Sequence, residues 1–337
     1  MTADLQSADL RAAQLATLLR AAAVAPLDHT GWIRVTGADR LRWLNGMVTN
    51  SIQELAPGQG CYNFVLNAQG RIQGDLTAFL LEDALLLQTS RDQIAKLLAH
   101  LNHFIIMDDV ELADLSDQRH GLLIAGPRAA ALLLQIGLPD PPPAPMLMQT
   151  STWREASIDI IHAHGPLVPR FELWADPATI HQLTADLIAA GATTASPEAL
   201  EDLRILEGTP RFGTDIRNSE TAHDLPQETG QSRALHFTKG CYLGQEIVER
   251  IHSRGKVHRA FNGFELSGFL PARGTVLEAE SKPIGELTSV AAISLADRAT
   301  PLQLALGYLR REALERNLTL TYPGGTATPI ALPYEVP

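Results

Sequence analysis

The segment Lys239-Gly-Cys-Tyr-Leu-Gly-Gln-Glu246 sets a thiol beside a lysine at the start of a basic run. Residues 239–259 hold five Lys or Arg against two Glu, in a chain whose formal charge is −11. Tyr242, Leu243, Ile247, Val248 and Ile251 recur at helical spacing, which predicts a helix over 242–251 with Cys241 at its N-terminus. Amide N–H groups and the positive dipole end at that position, with Lys239 alongside, would stabilise a thiolate. Cys241 is thus a candidate nucleophile or soft-metal ligand; the plainer reading is a small buried capping residue.

A second constellation is Arg204-Ile-Leu-Glu207-Gly-Thr-Pro210-Arg-Phe-Gly213-Thr-Asp215. Glu207 comes at a predicted helix end, where a carboxylate opposes the dipole, so its position asks for a reason beyond helix stability. Such a carboxylate can accept paired N–H bonds from an aminopyrimidine-like ring, or simply partner Arg204. Asp75, just past the Gln69-Gly70-Arg71 turn, is a candidate general acid/base or a charged turn residue. Cys61 reads as core packing in a strand beside Tyr62 and Phe64. His162 and His164 alternate as two metal ligands on one strand face would, but no third ligand is identifiable and satisfied histidines are the simpler reading.

The elements that must position these groups are short strands mixed with helices. Ala8–Val24 reads as an amphipathic helix, 32–35 as a strand and 38–47 as a helix. Residues 61–66 and 72–80 form a hairpin about the turn Asn67–Gly70, followed by a strand at 84–88 and a helix at 91–102. Further strands fall at 122–125, 158–162 and 171–174, with helices at 127–136, 177–190 and 197–207. Residues 208–238 read as a long ordered loop, and from Arg259 onward short strands and turns suit a small β-barrel. The hairpins favour an α+β class over a doubly wound parallel sheet, and neither GxGxxG nor a P-loop is present.

With 337 residues, 45% hydrophobic and 19% charged, the chain can bury large cores and is long enough for two or three domains. Its acidity argues against whole-surface binding to nucleic acid or anionic lipid. Two cysteines exclude a disulfide scaffold, and no zinc spacing is present. The first ten residues carry two Asp and no Lys or Arg, unlike a signal or transit peptide, and no apolar run reaches the roughly 18 residues of a membrane span. The expected location is cytoplasmic.

Together these segments resemble the folate-binding YgfZ-type family, relatives of the glycine-cleavage T-protein, an aminomethyltransferase. The match to KGCYxGQE at Lys239–Glu246 is complete, and Leu66-Asn-Ala-Gln-Gly-Arg71, Glu207, 210–215, 284–289 and 304–308 support it. The resemblance implies an α+β fold of three domains in a ring around a folate channel: 1–46 with 118–215, 47–117 with 216–253, and a C-terminal barrel over 254–337. It implies bound tetrahydrofolate or its 5-formyl derivative, with the Glu207 carboxylate on the pterin; the basic segment, Lys239 and Arg254 included, would then meet folate carboxylates or an acidic partner. It further implies a role in iron–sulfur protein assembly or repair that influences tRNA thiolation and depends on Cys241, as nucleophile or as ligand to a transient cluster shared with a carrier or client protein. Aminomethyltransferases carry two consecutive acids before a Leu in the hairpin, whereas Gly74-Asp75-Leu76 retains the second alone. Two alternatives accompany this reading: a folate-dependent one-carbon transferase in which Asp75 handles the proton, and an RNA-binding adaptor using the basic run. Direct nucleic-acid binding is disfavoured by the charge and by the lack of interleaved aromatics.

Overall fold

A computed structural model describes residues 2–218, 224–255 and 257–336, without the side chains of residues 2–7 and 254. In chain order the elements begin with α1 (Thr2–Arg20), β1 (Ala23–Pro26), β2 (Thr30–Thr36), α2 (Arg40–Asn45), β3 (Gly60–Leu66), β4 (Ile72–Leu80) and β5 (Leu85–Ser90). They continue with α3 (Ile94–Asn102), β6 (Glu111–Asp114), β7 (His120–Ala125), α4 (Ala129–Gln135), β8 (Leu147–Trp153), β9 (Ala156–His162) and β10 (Arg170–Ala175). After α5 (Pro177–Ala189) and β11 (Thr193–Thr194) come α6 (Pro197–Glu207) and α7 (Gln245–Arg254). The last stretch holds β12 (Arg259–Gly268), β13 (Val276–Ala279), β14 (Lys282–Ile293), β15 (Leu302–Arg310), α8 (Arg311–Glu315), β16 (Leu320–Tyr322) and β17 (Gly325–Ile330).

The chain clusters into two units, neither continuous in sequence. The barrel unit comprises Met1–Ala16, Ala195–Ser232 and Val248–Pro337; the two-sheet unit comprises Thr17–Thr194 and Arg233–Ile247. In the two-sheet unit, one five-stranded sheet has the order β3-β4-β5-β2-β6 and a six-stranded sheet the order β11-β1-β7-β10-β9-β8. Each buries its own apolar layer: Ile33, Leu44, Leu76, Leu87 and Leu97 on the first, and Val24, Ile124, Leu133, Leu173 and Leu183 on the second. A third layer joins the sheets, where Trp174 meets Trp32 and Phe79 edge to face at 5.7 and 5.5 Å between ring centroids. Such aromatic pairs add about 0.5–1.5 kcal/mol each beyond their area.

In the barrel unit, β12-β15-β14-β13-β16-β17 close on themselves around Phe264, Leu277, Leu287 and Leu309. The α+β class and the C-terminal barrel thus agree with the sequence reading. Two local expectations do not. Residues 21–24 leave the predicted first helix because Ala23–Pro26 pair with β7 and Ala23 and Val24 with β11, and sheet pairing overrides helical spacing. Strand β8 was invisible to pattern because Gln149, Thr150, Ser151 and Thr152 break its apolar run, while its register against β9 supplies the backbone bonds. Among the described residues, no helix is long and apolar enough to cross a membrane.

Candidate functional site

In the two-sheet unit the hairpin β3–β4 sets Asp75 opposite Phe64. One step along β3, on the same face as Phe64, Tyr62 donates its hydroxyl to Asp75 Oδ2 at 2.6 Å. Gln93, in the turn before α3, holds Asp75 at two points: Nε2 donates to Oδ1 at 2.8 Å, and Oε1 accepts the Asp75 backbone N–H at 3.1 Å. Burial pushes the Asp75 carboxyl up; the bonds from Tyr62 and Gln93, and then the nearby Arg233 guanidinium, oppose that rise. Arg233 lies 4.3 Å over the Tyr62 ring. His164, two residues past β9, is driven down to about 4 by burial and then by Arg233 and Arg170. A raised carboxyl held against a phenol and a cation is a group suited to proton transfer.

The position before Asp75 is crowded. A Cβ on Gly74 would sit 2.7 Å from Gln93 Oε1 and 2.8 Å from Leu97 Cδ2, so Gln93 fills the room a second carboxylate would need.

Glu207 is the last residue of α6, in the barrel unit, and is 4% exposed. Ser196 caps that helix at its start, with Pro197 next, and Gly208 closes it in the left-handed conformation (φ 67°). Only glycine fits position 208, since a Cβ there would lie 2.5 Å from Leu332. Arg204 is not Glu207's partner. Its guanidinium donates to Glu201, Asp215, Ser289 and the Thr209 carbonyl, all at 2.6–2.9 Å. Asp215 in turn accepts from Thr288 and Ser289 of β14, which pins the loop after Glu207 to the barrel.

The KGCY segment departs from expectation. Gly244 takes φ +83°, which breaks the helical run, so α7 begins at Gln245 and Cys241 stands four residues before it rather than at its N-terminus. Cys241 is exposed. The sequence predicts Lys239 to meet ligand carboxylates beside that thiol; the lysine instead turns inward, 9% exposed, and donates to the carbonyls of Asn45, Val48 and Asn50, each at 2.6 Å. Burial lowers it to about 8, and its electrostatic neighbour is Cys61 rather than Cys241. Cys61 packs against the five-stranded sheet's core as expected; burial pushes its thiol up to about 11, against the Asn63 amide at 3.2 Å and Lys239.

Arg254 ends α7, and its side chain lies outside the described residues. His162 bonds the Pro142 carbonyl at 2.8 Å and stacks on Phe171, and among the described residues no cluster of His, Cys, Asp and Glu could hold a metal ion. The structure therefore groups Asp75 with Tyr62, Gln93 and Arg233, and places Lys239 and Cys241 on one loop of the same unit, while Glu207 belongs to the barrel unit. Tyr62 could have been found from the hairpin register, which the Asn67–Gly70 turn fixes. Arg233 carried no local signal.

Comparison with known proteins bears on these assignments. Residues 6–239 match the family described as the GCVT N-terminal domain. The tRNA-modifying protein YgfZ of Yersinia pseudotuberculosis is 31% identical over 261 residues, covering 75% of this chain and 74% of its own. An aminomethyltransferase of Thermus thermophilus is 27% identical over 305 residues, 87% of this chain and 81% of that one. In structure, glycine cleavage system aminomethyltransferase T from Bartonella henselae superimposes with a TM-score of 0.83 over 96% of this chain and 89% of its own, at 21% identity, which shows a shared fold.

Proposed function

The chain belongs to the GCVT N-terminal domain family, as a YgfZ-type relative of the T-protein, and from that premise we propose that it is a tetrahydrofolate-binding factor in iron–sulfur protein assembly or repair. The observation that carries the choice over aminomethyl transfer is the Gly74–Asp75 pair: one acid of the transferase pair is absent and Gln93 occupies its room, while an exposed thiol stands on the KGCY loop.

The residues of each unit, taken by itself, suit a reduced folate. In the barrel unit the buried Glu207 carboxylate suits the N–H edge of a pterin. In the two-sheet unit the Asp75 carboxyl, with Tyr62 and Arg233, is a proton-transfer group beside a cation. When bound, tetrahydrofolate supplies nitrogens that carry a one-carbon unit. On the protein's side, Glu207 accepts N–H bonds, Tyr62 and Gln93 orient Asp75, and Asp75 holds or releases a proton at Oδ1 or Oδ2. Cys241 offers a soft ligand to a cluster that is cargo; one thiolate cannot hold a cluster alone, so a carrier or client protein completes the set. The location that goes with this role is the cytoplasm.

The test is anaerobic transfer of a cluster from a carrier to an apo client, read by absorbance, with wild type and Cys241→Ser, with and without folate. Serine keeps the shape and replaces a soft ligand by a hard one, so the variant should fail to support transfer while binding folate normally; equal support by both proteins excludes a required thiolate. Separately, Glu207→Ala should weaken folate binding about tenfold or more, the equivalent of about 1.5–3 kcal/mol for a charge-assisted bond. Equal affinities by calorimetry would remove Glu207 from the site. Asp75, with its raised carboxyl, favours the second reading, folate-dependent one-carbon transfer. Turnover of an aminomethyl-lipoyl carrier to methylenetetrahydrofolate at the rate of a T-protein would establish that reading instead.

A further inference from the structure

The stretch Asn45–Asn50, from the last residue of α2 into the segment before β3, is where the Cys241 loop and the Asp75 cradle are both tied. On one side, the Lys239 ammonium spends its three donors on the Asn45, Val48 and Asn50 carbonyls, and the Leu243 N–H donates to the Gly46 carbonyl at 3.0 Å. Cys241 lies midway between these two anchors, exposed, beside Gly240, whose surroundings are open. On the other side, the Asn50 side-chain amide donates to the carbonyls of Tyr62 at 3.1 Å and Arg233 at 2.8 Å. Tyr62 is the phenol bonded to Asp75, and Arg233 is the cation whose charge acts on it; Gln93 holds Asp75 from the α3 side. Asn50 is thus bonded through its own carbonyl to the lysine under the thiol loop, and through its side chain to both flanks of the cradle.

We propose that Lys239 is a positioning residue for Cys241 and that Asn50 relays to it the state of the Asp75–Tyr62–Arg233 cradle, so that ligand bound in the cradle resets the reactivity of the thiol. The inference rests on the folate reading above. Its physical basis is the choice of a charged residue at a buried position. Methionine would fill the same volume without desolvating an ammonium, so what the lysine contributes is fixed geometry: three donors matched to three convergent acceptors. With both ends of the loop fastened to one stretch, a shift of Tyr62 or Arg233 that moves Asn50 must strain the Lys239 bonds or carry the loop along. The free play is left to Gly240 and Cys241.

The experiment is alkylation of the full-length protein by iodoacetamide at pH 7, with Cys241 followed by peptide mass spectrometry, with and without saturating 5-formyltetrahydrofolate whose binding is measured by calorimetry. Wild type should show a Cys241 rate that changes about fivefold or more on binding, the lower range of coupling between sites. In Lys239→Met and Asn50→Ala the ligand should still bind and the Cys241 rate should become insensitive to it, a change that a merely structural role would not produce. If either variant fails to fold, the other and the wild-type ratio decide. Binding without any change in the wild-type rate overturns the relay and leaves the folate reading standing. Absence of binding overturns both, and ligand sensitivity kept in both variants overturns the path through Lys239 and Asn50.

Discussion

Burial pushes the Cys61 thiol up to about 11, whereas Cys241 stands exposed on its loop. At pH 7 only a minute fraction of Cys61 is thiolate, because that fraction falls tenfold for each unit by which pKa exceeds pH, so Cys241 should be alkylated at least about tenfold faster in the native protein. Equal rates before unfolding would contradict this ordering. His164 gives a pH signature. Burial and two guanidiniums hold its imidazole down to about 4, so the folded protein keeps it neutral where the unfolded chain, near the ordinary 6.5, takes up a proton. Stability is therefore lost as pH falls from 6.5 toward 4, and His164→Gln should flatten that part of a urea-midpoint curve; parallel curves for the two proteins would dismiss His164 as the cause. Glu207, Asp75 and Cys241 were legible as candidates because each is chemically odd where it stands. Tyr62, Gln93 and Arg233 were not, because a hairpin register, a short turn and a distant segment bring them to Asp75. The Lys239 side chain was misread, since sequence shows a charge but not whether carbonyls are waiting beneath it.

Element boundaries follow glycine more closely than apolar spacing here. The periodic residues 242–251 predict a helix that starts three residues too early, and Gly244 explains the difference. Its φ is +83°, and a Cβ there would lie 2.5 Å from the Asn67 carbonyl of the hairpin turn. The Cys241 loop is thus long because α7 cannot begin before Gln245 without meeting that turn. Gly244→Ala should cost at least about 1–3 kcal/mol, from the strained conformation plus the contact, and should raise protease cleavage within 236–246. Unchanged denaturation midpoint and cleavage would show that the hairpin turn yields easily. The α6 boundaries were legible to the residue, because Ser196-Pro197 and Gly208 are start and stop signals that tertiary packing leaves in force.

At the scale of the molecule, an ionic hub ties α6 into the barrel unit. Arg204 joins α6, the following loop and β14 through Asp215, which is 0% exposed. Arg204→Met would leave that carboxylate buried without its cation, at a cost of about 3–5 kcal/mol, read as a lower urea midpoint with an unchanged slope. A midpoint within error of wild type would mean that Thr288 and Ser289 suffice. Sequence reading reached the class and the barrel because those depend on local patterns. No local pattern marks residues 8–16 as belonging with 195–232; the family resemblance alone joined 1–46 with 118–215. That sharing bears on how the chain is made. Arg11 donates to Asp202 at 2.5 Å across 191 residues. At about 5–20 residues per second, a ribosome releases Arg11 roughly 10–40 s before its partner. During translation Arg11 must wait for its carboxylate until the middle of the message has been read.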